Sequence, residues 1–146
     1  LLDKKSFVLM NVDVLTRLDL RAMIAAHQQQ LPLATIAVSE RDTSRYFLFD
    51  EKQSLCGWKN VKTGETRMAR PVAALVPKAF SGIHIIEPRI FSLIREKTKL
   101  SGKFSMVDVY LSLAETETIK GFDHTGAAFV DVGKPEAVAI AEAIWE

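Results

Sequence analysis

Two short runs, Ser6-Phe7-Val8-Leu9-Met10-Asn11-Val12 and Leu33-Ala34-Thr35-Ile36-Ala37-Val38, place apolar side chains on both faces of an extended chain. Neither run alternates polar with apolar, so neither suits a sheet with one wet face. Between them Asp19 stands where an N-cap belongs. Leu20, Met23, Ile24 and His27 follow at helical spacing until Gln28-Gln29-Gln30 and Pro32 close the segment. Apolar strand, capped helix, apolar strand is the pattern of a parallel crossover. The first run is therefore expected as a central strand of an α/β sheet, buried on both faces.

The middle of the chain changes character. Arg45-Tyr46-Phe47-Leu48-Phe49 and Ser54-Leu55-Cys56-Gly57-Trp58 flank Asp50-Glu51-Lys52-Gln53, a hairpin signal, and Lys62-Thr63-Gly64-Glu65 is a second turn. Phe80–Ile86 predicts a further strand. Pro88 opens a helix through Ile90, Phe91 and Ile94, and Ser105 caps another that carries Val107, Tyr110, Leu111 and Leu113. Thr118–Phe122 and Ala127–Val130 predict two late strands, and Pro135 starts a final helix from Glu136 to Trp145. With no repeat and no linker, the order predicts an α/β domain of three layers, α/β/α, around a mixed, mainly parallel sheet.

Composition narrows the function. A chain of 146 residues fits one domain. Its 19 Lys+Arg against 18 Asp+Glu leave a charge of +1, which argues against bulk binding of nucleic acid. The single cysteine, Cys56, has no partner for an internal disulfide, so a reducing, cytoplasmic setting is expected. No apolar run approaches the ~20 residues of a membrane helix, and Leu1-Leu2-Asp3-Lys4-Lys5 does not open a signal peptide. The chain starts without Met and enters an apolar strand almost at once, which predicts further polypeptide upstream.

Two acids share one position type. Asp13 closes the first strand and Asp131 closes the strand Ala127–Val130. Ligands of open α/β sheets bind beyond the carboxyl ends of strands. Two carboxylates there could share a hard cation such as Mg²⁺, or each could simply end a strand. Around Asp131, Phe129-Val130-Asp131-Val132-Gly133-Lys134-Pro135-Glu136 packs a strand, an acid, a Gly turn and a Pro-started helix into eight residues. Gly133 permits close backbone approach, and a helix N-terminus favours anions. His27 and His84 are expected as satisfied structural histidines, while His124, beside the last strands, could face a pocket. Arg41, Lys62, Arg67 and Arg70 are expected on a solvated face near the hairpin, with a phosphate-facing edge as the second reading.

Five stretches, in order, resemble one family: Asn11-Val12-Asp13-Val14-Leu15, Thr43-Ser44-Arg45-Tyr46, Gly57-Trp58-Lys59-Asn60, Phe80-Ser81-Gly82-Ile83-His84 and Phe129-Val130-Asp131-Val132-Gly133-Lys134-Pro135. They are similar to the sugar-1-phosphate nucleotidyltransferases, which have the nucleotide-diphospho-sugar transferase (GT-A-like) fold. The likeness is greatest to the bacterial branch of mannose-1-phosphate guanylyltransferases and N-acetylmuramate-1-phosphate uridylyltransferases. The resemblance implies that Asp13 and Asp131 bind the catalytic Mg²⁺ and that Lys59 contacts the sugar phosphate. It implies Arg45, Tyr46 and Asn60 beside the sugar, and Ser81 and Gly82 on a strand lining the sugar site. Trp58 and Asn60 stand where relatives have the Glu and Pro of Glu-Lys-Pro, and Phe47 where distant relatives have Gly. Trp58 then either stacks on a sugar or packs.

The family's Gly-rich loop, which grips the base and triphosphate, has no counterpart in this sequence. Residues 1–146 are thus expected to be the C-terminal portion of a single catalytic domain that lacks its N-terminal part. The full-length parent would join a nucleoside triphosphate to a sugar 1-phosphate, giving a nucleotide sugar and pyrophosphate, and this portion alone would be inactive. It could form a homo-oligomer through surface left open. The alternatives are a non-catalytic sugar-phosphate-sensing or regulatory domain of the same fold, and a glycosyltransferase using the same metal.

Overall fold

The computed structural model describes residues 6–10, 14–16, 18–100, 104–127 and 129–131, with backbone alone for 14–16 and 129–131. The strands are β1 (Phe7–Met10), β2 (Val14–Thr16), β3 (Ala34–Ser39), β4 (Arg45–Phe49), β5 (Leu55–Asn60), β6 (Thr66–Met68), β7 (Val76–Ile86), β8 (Ile119–Asp123) and β9 (Phe129–Asp131). The helices are α1 (Leu20–Gln30), α2 (Ile90–Lys97) and α3 (Met106–Leu113). The expected helix from Glu136 to Trp145 lies outside the described residues.

Local chemistry sets the boundaries. The Asp19 carboxylate accepts the Ala22 N–H at 3.1 Å and starts α1; Leu31, left-handed at φ 46°, ends it. Ser105 and Asp108 form a reciprocal capping box on α3. In the β4–β5 hairpin, Asp50 Oδ1 accepts from the N–H groups of Lys52 and Ser54, both at 2.9 Å. Arg67 and Arg70, expected on a solvated face, instead hold α3 at its two ends. Arg67 Nη1 donates to Asp108 Oδ1 at 2.9 Å, and Arg70 donates to the carbonyls of Ala114 and Glu117.

β7 organises the sheet. Six strands run in the order β6-β5-β4-β7-β3-β8, and β1, the seventh of this sheet, also pairs with β7. Along one flank β7 meets β4 through Val76–Lys78 and β1 through Ile83–Ile86; along the other it meets β3. β1, β3, β4, β6 and β8 share one direction, and β5 and β7 oppose it. The sheet is mixed, with most strands running one way. Because β7 runs against its neighbours, β3–β8 is the one parallel ladder among the described residues. The α1 crossover does join two parallel strands, β1 and β3, but β7 lies between them.

The core has two halves, one on each face of the sheet. Met23 of α1 packs on Ala37, Ile83 and Ile85. On the other face Ile36, Phe49 and Ile86 pack with Ile90 of α2 and Val109, Tyr110 and Leu113 of α3. This is the expected three-layer α/β/α arrangement.

β1 departs from expectation. Val8, Leu9 and Met10 are 42%, 40% and 47% exposed, not buried on both faces. Among the described residues β1 pairs with β7 alone. α1 packs over Ala37, Ile83 and Ile85 of the neighbouring strands, which leaves the outer edge of β1 uncovered.

The two structural histidines are satisfied as expected. His27 bonds Thr35 Oγ1 through Nδ1 and Glu87 Oε2 through Nε2, both at 2.7 Å. His84 Nδ1 lies 2.6 Å from the Tyr110 hydroxyl, and its ring meets that of Phe80 at 4.8 Å. Burial pushes the His84 imidazole down to about 4 and the Tyr110 phenol up. Through His84 the folded state then binds fewer protons than the unfolded chain between about pH 4 and 6.5. Stability should be full above about pH 6.5 and fall by on the order of 3 kcal/mol as pH drops toward 4. Urea titrations across that range should show the slope, and His84→Gln should remove most of it.

Candidate functional site

The carboxyl ends of β1, β3 and β8 lie at one edge of the sheet, because those strands share a direction. Two of them continue into a small ribbon there. β1 leads into β2 and β8 leads into β9, and β2 and β9 pair antiparallel. In that ribbon Val14 stands opposite Asp131. Asp13 itself lies outside the described residues, as do Val132, Gly133, Lys134 and Pro135, and Asp131 is described by its backbone. Val14, the next residue after Asp13, is nonetheless the register partner of the second acid.

Beside this edge a polar cluster is built into the sheet. β3 and β7 lose register between Ile36↔His84 and Val38↔Phe80, so β7 bulges through Ser81, Gly82 and Ile83. Gly82 sits at φ +80°, a conformation costly for any residue with a Cβ. The bulge turns Ser81, 1% exposed, toward its polar neighbours. Arg41 Nη1 donates to Ser39 Oγ at 2.8 Å and to Ser81 Oγ at 3.1 Å, and Nη2 donates to the Phe80 carbonyl at 2.7 Å. His124 Nε2 meets Ser81 Oγ at 2.6 Å. Burial, then the Arg41 charge, hold the His124 imidazole below its ordinary range. Arg41, expected on a solvated face, therefore ties the end of β3 to the bulged part of β7. The signal in sequence was its place two residues after a buried strand.

Lys78 and Asp123 complete the edge. Lys78 Nζ bonds Asp123 and lies 3.5 Å from Glu40. Burial acts to lower the Lys78 pKa, but the Asp123 hydrogen bond and charge more than reverse it.

The remaining sequence-predicted residues lie on β4 and β5. Arg45 pairs with Asn60, Tyr46 with Lys59, and Phe47 with Trp58. Cross-strand partners share a face, so Tyr46 and Lys59 lie on one side while the other two pairs lie on the opposite side. Arg45, Phe47 and Trp58 line a cavity of about 230 Å³ with Phe80 and Val107, and Thr43 and Tyr46 border it where β4 begins. Trp58 also packs against the core, beside Phe47. Asn60 serves the fold, since its Oδ1 accepts from the N–H groups of Lys62 at 2.9 Å and Thr63 at 3.3 Å and so closes the β5–β6 turn. The structure thus brings Arg45 and Tyr46 to one cavity and sets Ser81 and Gly82 in the polar cluster. A larger cavity, about 540 Å³, opens by Leu31, Arg89, Glu117 and Lys120. It lies at the amino ends of β3 and β8, across the sheet from this edge.

The sequence matches no family model, and no curated protein matches it. Solved structures do share its fold. A UDP-glucose pyrophosphorylase from Acinetobacter baumannii superposes with a TM-score of 0.73 at 15% identity, over 99% of this chain and 52% of that one. The inositol-1-phosphate CTP transferase from T. maritima gives 0.67 at 16%, over 98% and 56%. A UTP-bound UGPase from Acinetobacter baumannii gives 0.69 at 16%, over 99% and 52%. The chain has the nucleotide-diphospho-sugar transferase fold and spans about half the length of these neighbours.

The bulge offers a direct test. Gly82→Ala should cost about 1–2 kcal/mol, since the added Cβ meets a left-handed backbone. The urea midpoint should drop accordingly; an unchanged midpoint would mean that the bulge is not formed.

Proposed function

We propose that the protein containing this domain is a sugar-1-phosphate nucleotidyltransferase. It would join a nucleoside triphosphate to a sugar 1-phosphate and release pyrophosphate. The observation that carries this reading is the β2–β9 register, which sets the residue after Asp13 opposite Asp131 at the carboxyl edge of a nucleotide-diphospho-sugar transferase fold.

The donor set suits Mg²⁺. Among the described residues no three His, Cys, Asp or Glu side chains cluster as a metal site. Mg²⁺ does not need one: it takes one or two carboxylates and fills its shell with water and substrate phosphate oxygens. Asp13 and Asp131 would hold it, and when bound it offsets charge on the α-phosphate. The protein's own part is positioning. A sugar phosphate oxygen attacks the α-phosphorus in line as pyrophosphate leaves, and a phosphate monoester is largely dianionic near neutral pH, so no general base is required. Lys59 would meet the sugar phosphate, Arg45 and Tyr46 would border the sugar, and the Arg41 cluster would keep the Ser81–Gly82 strand in place.

One observation favours a second reading. Phe47 and Trp58 form an apolar pair between Arg45 and the core, where a hydroxyl-rich sugar calls for polar partners. A non-catalytic sugar-phosphate-sensing domain would tolerate that. In either reading no helix among the described residues is long and apolar enough to cross a membrane. A reducing cytoplasm suits the buried, unbridged thiol of Cys56.

Pyrophosphate release by the full-length protein, measured over a panel of nucleoside triphosphates and sugar 1-phosphates with Mg²⁺, tests the proposal. Asp131→Asn should abolish the signal without unfolding the protein. Activity kept within a few-fold would remove Asp131 from the metal site, and binding without turnover on any pair would favour the sensing domain. The open edge of β1 yields a further expectation for the 146-residue chain. It should self-associate with rising concentration, and Leu9→Lys should shift sedimentation profiles toward monomer.

A further inference from the structure

We infer that Tyr46 is a positioning residue whose ring holds the Lys59 ammonium ready for a phosphate, an inference that rests on the sugar-phosphate reading of this site. Tyr46 and Lys59 are register partners on β4 and β5 and share a face. Lys59 Nζ lies 5.6 Å from the centre of the Tyr46 ring, within reach of a cation–π contact. The ring is itself pinned, because the Thr43 N–H donates to the Tyr46 hydroxyl at 3.1 Å.

What distinguishes Lys59 is the kind of partner it has. Lys78 is held by Asp123 and Glu40, and Lys97 lies 3.6 Å from Glu117. Among the described residues no carboxylate lies within ion-pair distance of Lys59. A carboxylate would fix the ammonium but would also cancel the charge that a phosphate must meet. An aromatic face restricts the same four-carbon stem while leaving the positive charge in place. The Thr43–Tyr46–Lys59 chain therefore reduces the ordering that Lys59 must undergo on binding, and spends none of its charge.

The test uses the full-length protein, with glucose 1-phosphate and inorganic phosphate as probes. Ring current should shift the Lys59 ε-methylene NMR signal upfield, and Lys59→Met should identify that signal by removing it. Tyr46→Phe, which keeps the ring but loses the Thr43 bond, should keep most of the shift and weaken glucose 1-phosphate binding less than Tyr46→Leu, which should lose the shift and weaken it about two- to fivefold. In a Lys59→Met background, Tyr46→Leu should cost nothing further. Absence of the ring-current shift overturns the inference. So does a Tyr46→Phe variant as weak as Tyr46→Leu, which would mean that the hydroxyl touches the ligand. An equal loss in the Lys59→Met background overturns it as well, since Tyr46 would then act without Lys59. If binding depends on Lys59 but not on Tyr46, only the positioning role falls. If the shift is present but neither probe binds the wild-type full-length protein, the sugar-phosphate reading falls and takes this role with it.

Discussion

Gly82 holds a left-handed conformation in the strand to which three others are hydrogen-bonded, and the arrangement of the sheet edge follows from that position. Four residues of β7 span what two residues of β3 span on the other side of the bulge. The offset separates the β4 ladder, through Val76–Lys78, from the β1 ladder, through Ile83–Ile86. It also turns the Ser81 hydroxyl toward Arg41 and His124. A regular strand would continue the alternation and carry Ser81 into a different environment. The local cost of the bulge is offset by charge-assisted hydrogen bonds from a guanidinium that serves two hydroxyls and a carbonyl.

Cations on and around this edge fall into two groups. Arg41 and Lys78 are spent on the protein's own acceptors and fix strand ends. Lys59 is oriented by an aromatic face. Under the proposed reading, a phosphate ligand would need a positive charge that is both placed and unspent, and Lys59 would supply it. Arg67 and Arg70 belong with the first group, since they bind the ends of α3 and serve the fold.

Much of the fold was legible where a residue acts on its own neighbourhood. Asp19, Asp50 and Ser105 announce a cap, a hairpin and a second cap, and each makes the local hydrogen bond its type implies. Position along the chain also placed Tyr46 on a hairpin strand and Lys59 just past the end of the other, which the structure extends to Asn60. Long-range facts were not legible. The exposure of Val8, Leu9 and Met10 depends on which strand lies beside β1, and no periodicity encodes that. The bulge at Gly82 needs the register of two distant strands, and a lone Gly in an apolar run signals only that something is unusual. Arg41, Arg67 and Arg70 read as solvated because charge predicts surface, while their partners lie tens of residues away. For the site, the resemblance named Asp131, and the β2–β9 register supplies the geometric reason to set it beside the start of β2.

The crossover from β1 through α1 to β3 joins two strands that are not paired with each other, and β7 must enter between them. A ribosome that has released everything up to Ser39 has made both walls of a slot, while the strand that fills it is still to be translated. Until Val76–Ile86 emerges, two apolar edges face water with their backbone groups unmet. Insertion of a late strand between two earlier ones is a high-contact-order step, slow and exposed to misassociation. The nascent chain should therefore depend on a holding chaperone over that interval, and synonymous codon choices that slow translation between β3 and β7 should lower the soluble yield.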